Sequence, residues 1–219
     1  MAIVTRPKVH DESLRESLIQ EASRMIAQHG RAGLNLRQVA TATGTSTTAI
    51  YSLFGSKDDL VTAVNAAAFD SFGRSQRAVP QGDDPLADLR ALGCDYRRWA
   101  LAHPHFYVGM FREASEELTD PSAAAMQPLL VGLQRCADKG LITGHVGAVA
   151  AMFWACVHGF VSLEIAGQLN FFPDRDQAFV HLLESHATGL VVQDRNPGFD
   201  PPTWLRQVLI RLADDGVAQ

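Results

Sequence analysis

Apolar residues recur at three- and four-residue steps along almost the whole chain, and that spacing admits one class of fold. In "DESLRESLIQEASRMIAQHG", Leu14, Leu18, Ala22, Met25 and Ile26 form a single helical stripe. Ser13 and Glu16 stand at capping-box spacing, Asp11 offers a rival N-cap, and Gly30 supplies a stop. Further helices are predicted over 85–102, 104–116, 121–138, 146–168, 174–192 and 202–214, separated by Pro104, Asp120-Pro121, Gly140, Pro173 and "NPGFDPP". No strand alternation competes with them. With 219 residues, 47% of them hydrophobic, such a chain can bury a sizeable core, so the expected fold is all-α.

Between the first helix and residue 72 the pattern tightens. "NLRQVATATG" has Asn35 as N-cap, Leu36, Val39 and Ala40 on one side, and an end at Gly44, which makes a helix of about two turns. Ser46 then caps "TTAIYSLF", in which Ala49, Ile50 and Leu53 share a face while Thr47, Thr48, Tyr51 and Ser52 point away. "SKDD" opens a fourth helix with Ser56 and Asp59 at capping-box spacing and a stripe of Leu60, Val64, Ala68 and Phe72. "RAVPQGDDP", residues 77–85, is the best composition break in the chain and reads as a junction.

The two short helices joined by "TGTS" form a helix-turn-helix, with Gly44 taking the sharp left-handed turn. A solvated helix face is normally Lys, Glu, Gln and Arg, yet this one presents short hydroxyls and one tyrosine. Such side chains let a helix lie deep in the DNA major groove, hydroxyls near base edges and phosphates, threonine methyls near thymine methyls. Lys57 adds a second clue. A cation at the first position of a helix opposes the macrodipole, at a cost of about 0.3–1 kcal/mol, and a DNA phosphate would offset that by accepting from the ammonium and the free amides together. The competing readings are a small capped surface helix and a solvated lysine beside Asp58 and Asp59.

Charge is divided along the chain. Its net −5 taken alone argues against a nucleic-acid partner, but through Lys57 seven basic residues face four acidic ones, so that part carries +3 and the rest −8. Three cysteines, Cys94, Cys136 and Cys156, lack C-x-x-C spacing and suggest neither a disulfide framework nor a thiolate zinc site. The start, "MAIVTRPKVHDESL", has no apolar run of signal-peptide length, so a cytoplasmic protein is expected. His103 and His105, two apart across Pro104, and His181 and His186, five apart, do not share a helix face as a metal pair would. H-E-x-x-H, G-x-S-x-G, G-x-G-x-x-G and Walker patterns are missing from the sequence; an enzyme, a metal site and a cofactor are not expected.

"LRQVATATGTSTTAIYSLFGSKDDL" resembles the DNA-binding domain of TetR-type transcriptional regulators, whose signature falls here on Val39-Ala40, Gly44-Thr45-Ser46, Tyr51, Phe54, Lys57 and Leu60. The resemblance covers roughly residues 11–72. Thr45 replaces the usual valine of the turn, and Thr48 a frequent glycine or proline. Carried over by position, the resemblance implies base-edge or nearby phosphate contacts at Thr47, Thr48 and Ser52, backbone contacts at Tyr51 and Lys57, and a phosphate or base contact at Arg37. Ser46 is chiefly the cap; Phe54 and Leu60 should be core.

In that family the larger C-terminal part carries dimerisation and an effector pocket. "GAVAAMFWACVHGFVSLEIAG", residues 147–167, is long and apolar enough to suggest a membrane span, but His158, Glu164 and the lack of basic flanks argue against one. Such a helix must instead be buried on most sides, as at a subunit interface. With 174–192 it can supply half of an intersubunit four-helix bundle. "WACVHG" resembles the Trp-x-x-x-His-Gly element of one subgroup of these C-terminal domains. Trp154 and His158 share a helical face, as a pocket wall with a polar handle or as core with a hydrogen-bonded histidine. Trp99, His103, Phe106, Tyr107, Met110 and Phe111 could line an aromatic cavity for a largely apolar ligand, or be plain core.

The expected organisation is a helix-turn-helix DNA-binding domain over 1–57, a connecting helix over 58–78, and an effector-binding and dimerisation domain over 79–219. The expected function is a homodimeric, ligand-responsive repressor on a near-palindromic double-stranded operator, with a small effector. Two rivals are a nucleoid or cell-division DNA-binding protein of the same fold without a small effector, and a ligand-sequestering or catalytic protein with a vestigial head.

Overall fold

The computed structural model describes residues 8–111, 120–142 and 145–192. They form nine α-helices and no strand: α1 (Lys8–His29), α2 (Leu36–Ala42), α3 (Thr47–Phe54), α4 (Lys57–Arg77), α5 (Pro85–Ala102), α6 (Pro104–Phe111), α7 (Asp120–Asp138), α8 (Val146–Ile165) and α9 (Arg175–Val192). The helix expected over 202–214, and residues 112–116 of the one expected over 104–116, lie outside the described residues.

Two boundaries differ from expectation. Helix α1 starts at Lys8, so Asp11 and Ser13 lie within it and neither is its N-cap; the Ser13 carbonyl accepts from the Ser17 hydroxyl at 2.9 Å. A cap contributes only about 1 kcal/mol, too little to stop a helix whose hydrogen-bond ladder continues past it. Helix α8 ends at Ile165 rather than 168, because Gly167 takes φ 72° and the Gly167 and Gln168 amides turn back to the carbonyls of Glu164 and Leu163.

The apolar core runs without interruption from the first helices into the last. Leu18, Ala22, Met25, Val39, Ile50, Leu60 and Val64 belong to the same cluster as Tyr96, Trp99, Phe106, Tyr107, Val157 and Phe179. A smaller cluster of Leu89, Leu92, Leu133, Cys136 and Val149 joins α5, α7 and α8.

Helix α4 ties the two ends of the molecule together. Its first half buries Leu60, Val61 and Val64 against α1 and α3. Its last turns are fastened to α5: Trp99 Nε1 donates to Ser71 Oγ at 3.1 Å, and Ser75 Oγ and Gln76 Nε2 each donate to Asp95 Oδ2 at 2.8 Å. Helices α5, α8 and α9 meet at Arg97, whose guanidinium grips Glu164 through two bonds of 2.7 Å, reaches Asp176 at 2.6 Å and lies 5.2 Å from the Phe179 ring centroid.

Candidate nucleic-acid interface

Local chemistry builds the α2–α3 unit. Asn35 Oδ1 accepts from the Arg37 and Gln38 amides at 3.0 and 3.3 Å, closing the start of α2. At the other end Gly44 sits at φ 66°, and the Thr45 amide returns to the Ala40 carbonyl at 2.8 Å. A Cβ at Gly44 would meet no atom within 4 Å, so this position demands glycine for its backbone conformation and not for space. Ser46 Oγ then accepts from the Ala49 amide at 3.2 Å and starts α3.

Helix α3 buries Ile50 completely and packs Leu53 and Phe54 partly against the same core. On the opposite side Thr48, Tyr51 and Ser52 are exposed, Tyr51 at 53%, and Thr47 is half-buried. Arg37 is exposed on the first turn of α2. The Arg15 guanidinium lies 5.2 Å from the Phe54 ring centroid and braces α3 from α1.

Lys57 is the first residue of α4, half-buried at its positive end. Both neighbouring carboxylates are engaged elsewhere. Asp58 Oδ1 accepts from the Arg31 guanidinium at 2.9 Å, and Asp59 Oδ2 accepts from the Ser56 hydroxyl at 2.6 Å while the Asp59 amide donates back to Ser56 Oγ at 3.0 Å. Among the described residues no ion pair holds Lys57. The Arg31–Asp58 pair was not visible in the sequence, because its members stand 27 positions apart with no pattern linking them.

The aromatic residues of the C-terminal part fall into two groups. Tyr107, Phe111, Trp154 and His158 converge: the Phe111 ring lies 4.4 Å from His158 and 6.0 Å from Trp154, and Tyr107 Oη is 2.8 Å from His158 Nδ1. Tyr96 joins them, its Oη 3.1 Å from the same nitrogen, and Ser162 Oγ stands 3.3 Å from His158 Nε2. Burial lowers the His158 pKa and raises those of both tyrosines, so all three groups are neutral near pH 7. Trp99, Phe106 and Met110 are core residues facing α1 and α4. His103 closes α5, its ring stacked 5.0 Å from that of Trp99 and its Nδ1 2.9 Å from the Trp99 carbonyl. Tyr96 and Ser162 were missed; they sit at helical spacing from Trp99 and His158 but carry no motif of their own.

Helix α8 meets the length and composition of a membrane span, and in this fold it packs Val149, Phe153, Val157 and Val161 against the body. It is not buried on most sides by its own chain. Met152 is 57% exposed, with Leu163 and Trp154 also open to solvent.

Residues 18–64 match the family described as bacterial regulatory proteins, tetR family, and residues 89–211 match the tetracyclin repressor-like C-terminal domain. The chain belongs to the TetR family. An uncharacterized HTH-type transcriptional regulator of Mycobacterium tuberculosis is 27% identical over 180 residues, 80% of this chain and 81% of its own. The HTH-type transcriptional repressor KstR2 of Mycolicibacterium smegmatis is 29% identical over 109 residues, covering 49% of this chain and 53% of that one. A TetR family regulator from Marinobacter aquaeolei superposes with a TM-score of 0.71 at 18% identity, over 84% of this chain and 98% of its own, which shows the shared fold. Regulators of this family bind DNA, dimerise and commonly take small-molecule effectors.

Proposed function

We propose that this chain is a ligand-responsive repressor of the cytoplasm, released from a near-palindromic operator by a small, largely apolar effector. The observation that carries the reading is the outward face of α3, slim and hydroxyl-bearing, beside a cation at the first turn of α4 that no carboxylate among the described residues holds. Thr47, Thr48 and Ser52 would meet base edges or nearby phosphates, Tyr51 and Lys57 the backbone, and Arg37 a phosphate or a base. The chain then divides as a head over 1–57, a connecting helix over 58–78 and a body over 79–219.

Two copies would pair through α8 and α9 into a four-helix bundle, covering Met152 and Leu163 and setting the two heads about 34–36 Å apart on successive major grooves. The effector would lie against Tyr107, Phe111, Trp154 and His158, whose rings supply apolar walls and whose hydroxyl and imidazole groups supply the polar handle. It would act by changing the angle or separation of the heads; DNA spacing is fixed, so a small change costs affinity.

The test is fluorescence anisotropy on DNA from the region upstream of the protein's own gene, across a salt series. Lys57→Ala with Tyr51→Ala is expected to weaken binding at least about tenfold and to reduce the salt slope of the dimer by about 2, one Lys57 phosphate contact being lost in each head. Unchanged affinity in that double variant would show that this face does not read DNA. Met152→Asp is expected to shift the sedimenting species to monomer. Native mass spectrometry of the purified protein is the first look for a retained effector.

A further inference from the structure

The junction between α4 and α5 forms a cleft of about 210 Å³, partly open to solvent and away from the Tyr107–His158 group. Its walls are the last turn of α4, the start of α5 and the middle of α7, and its roof is the connecting segment Val79–Gln81. Leu92, Val131 and Pro128 give it an apolar body.

Three features mark it as built. Pro128 lies inside α7, where a proline has no amide to give the Ala124 carbonyl and normally costs a helix about 3 kcal/mol, and this residue forms part of the wall. The roof is pinned from outside: the Gly82 amide donates to Asp88 Oδ1 at 2.9 Å, and Arg135 bonds both Asp88 and the Gly82 carbonyl. That Gly82 amide, with Arg135 beside it, holds the Asp88 carboxyl below its usual range against the opposing effect of burial, so the one acid of the lining is ionised and already neutralised.

The second cation of the lining is Arg77. Its guanidinium folds back along α4 over Gly73, where a Cβ would come within 2.9 Å of Nη1. Among the described residues no hydrogen bond or ion pair engages it. An apolar cleft whose acid is already paired, with Arg77 as the lining cation that no acid holds among the described residues, is complementary to a small molecule with an apolar body and a single negative group. The volume lies below the ~300–1,000 Å³ of drug-sized sites, which limits the occupant to a short chain or one ring.

We propose that this cavity is a second ligand site, taking a small apolar monocarboxylate whose carboxylate pairs with Arg77 and whose body lies against Leu92, Val131 and Pro128. The site does not rest on the effector assignment above. The two have no lining residue in common, and α4, one wall of the cavity, begins at Lys57.

Octanoate and 1-octanol, matched in length and differing in charge, test the proposal by isothermal titration of the full chain. Octanoate is expected to bind one molecule per chain, and octanol at least about tenfold more weakly. Arg77→Gln, an exposed position, should weaken octanoate about tenfold, the loss expected for one charge-assisted pair. Val131→Phe fills the chamber from a 43%-exposed position and should abolish binding; if its thermal melt falls, Arg77→Gln decides alone. His158→Ala should leave octanoate affinity within about twofold. The proposal is overturned if octanoate shows no saturable binding, if Arg77→Gln leaves its affinity unchanged, or if His158→Ala is the variant that removes it. That last result would place octanoate in the aromatic group and leave the effector reading intact.

Discussion

The two ends of this molecule are held together in opposite ways. At the N-terminal end, α2, α3 and the long α4 are each opened by a residue at their own terminus, Asn35, Ser46 and Ser56, all bonding amides two or three positions onward. In the body, the deciding polar contacts are distant in sequence. Arg97 meets Glu164 across 67 positions and Asp176 across 79, and Tyr96 meets His158 across 62. Local caps shape a small unit with a fixed outer face, while long-range pairs clamp helices whose own sequences leave their partners open.

The sharpest way to break that contrast is to cut the body's central pair. Arg97→Met leaves Glu164, whose side chain is 7% exposed, with only the Arg175 guanidinium at 3.9 Å, and is expected to cost about 3 kcal/mol in chemical denaturation. Arg97 is itself partly open to solvent, which sets the estimate at the low end of the range for buried pairs. A loss below about 1 kcal/mol would show that apolar packing alone holds α5, α8 and α9.

In the head the corresponding losses should be smaller and local. Ser46→Ala removes the α3 cap and is expected to cost about 1 kcal/mol. Gly44→Ala meets no atom, so its cost should be the left-handed backbone alone, about 1–2 kcal/mol. Gly44→Asn should cost less, since asparagine tolerates that conformation better. Melts of the three variants check the order, and an alanine at 44 that costs nothing would mean the turn had changed shape.

The smallest effect concerns pH. Burial holds His158 below the ordinary histidine range, so the unfolded chain takes up this proton at higher pH than the folded one does. Stability from this group is therefore full above the unfolded value near 6.5 and falls as pH drops from there toward the folded value. Wild type should lose more stability than His158→Gln between pH 7.5 and 5.5. Equal losses would mean that the imidazole is solvated in the folded protein.

Much of the fold was legible because helical spacing, caps and glycine stops act within a few residues. The junction at residues 77–85 and the φ of Gly44 follow from composition and from sterics. The capping box at Ser13 does not mark the start of α1, which is already helical at Lys8, because a cap is a weak preference beside a continuing hydrogen-bond ladder. The outward face of α3 could be read because each side chain's direction follows from the helical period. The grouping around His158 could be read only in part. Trp154 and His158 share one helix, but nothing in the spacing of "RRWALAHPHFYVGMF" tells which aromatic turns toward α8 and which toward α1.

The amino-acid order alone determined an all-helical chain with a sharply turned pair of short helices near one end and a hydroxyl-lined outer face, since those features depend on neighbours within one or two turns. Only the tertiary structure decided that head and body share one core, that Arg31 takes the charge of Asp58, and that Tyr96 and Tyr107 converge on His158. Those pairings depend on how helices cross. The crossings are chosen by the shape and burial of many side chains together, which no short stretch of sequence carries.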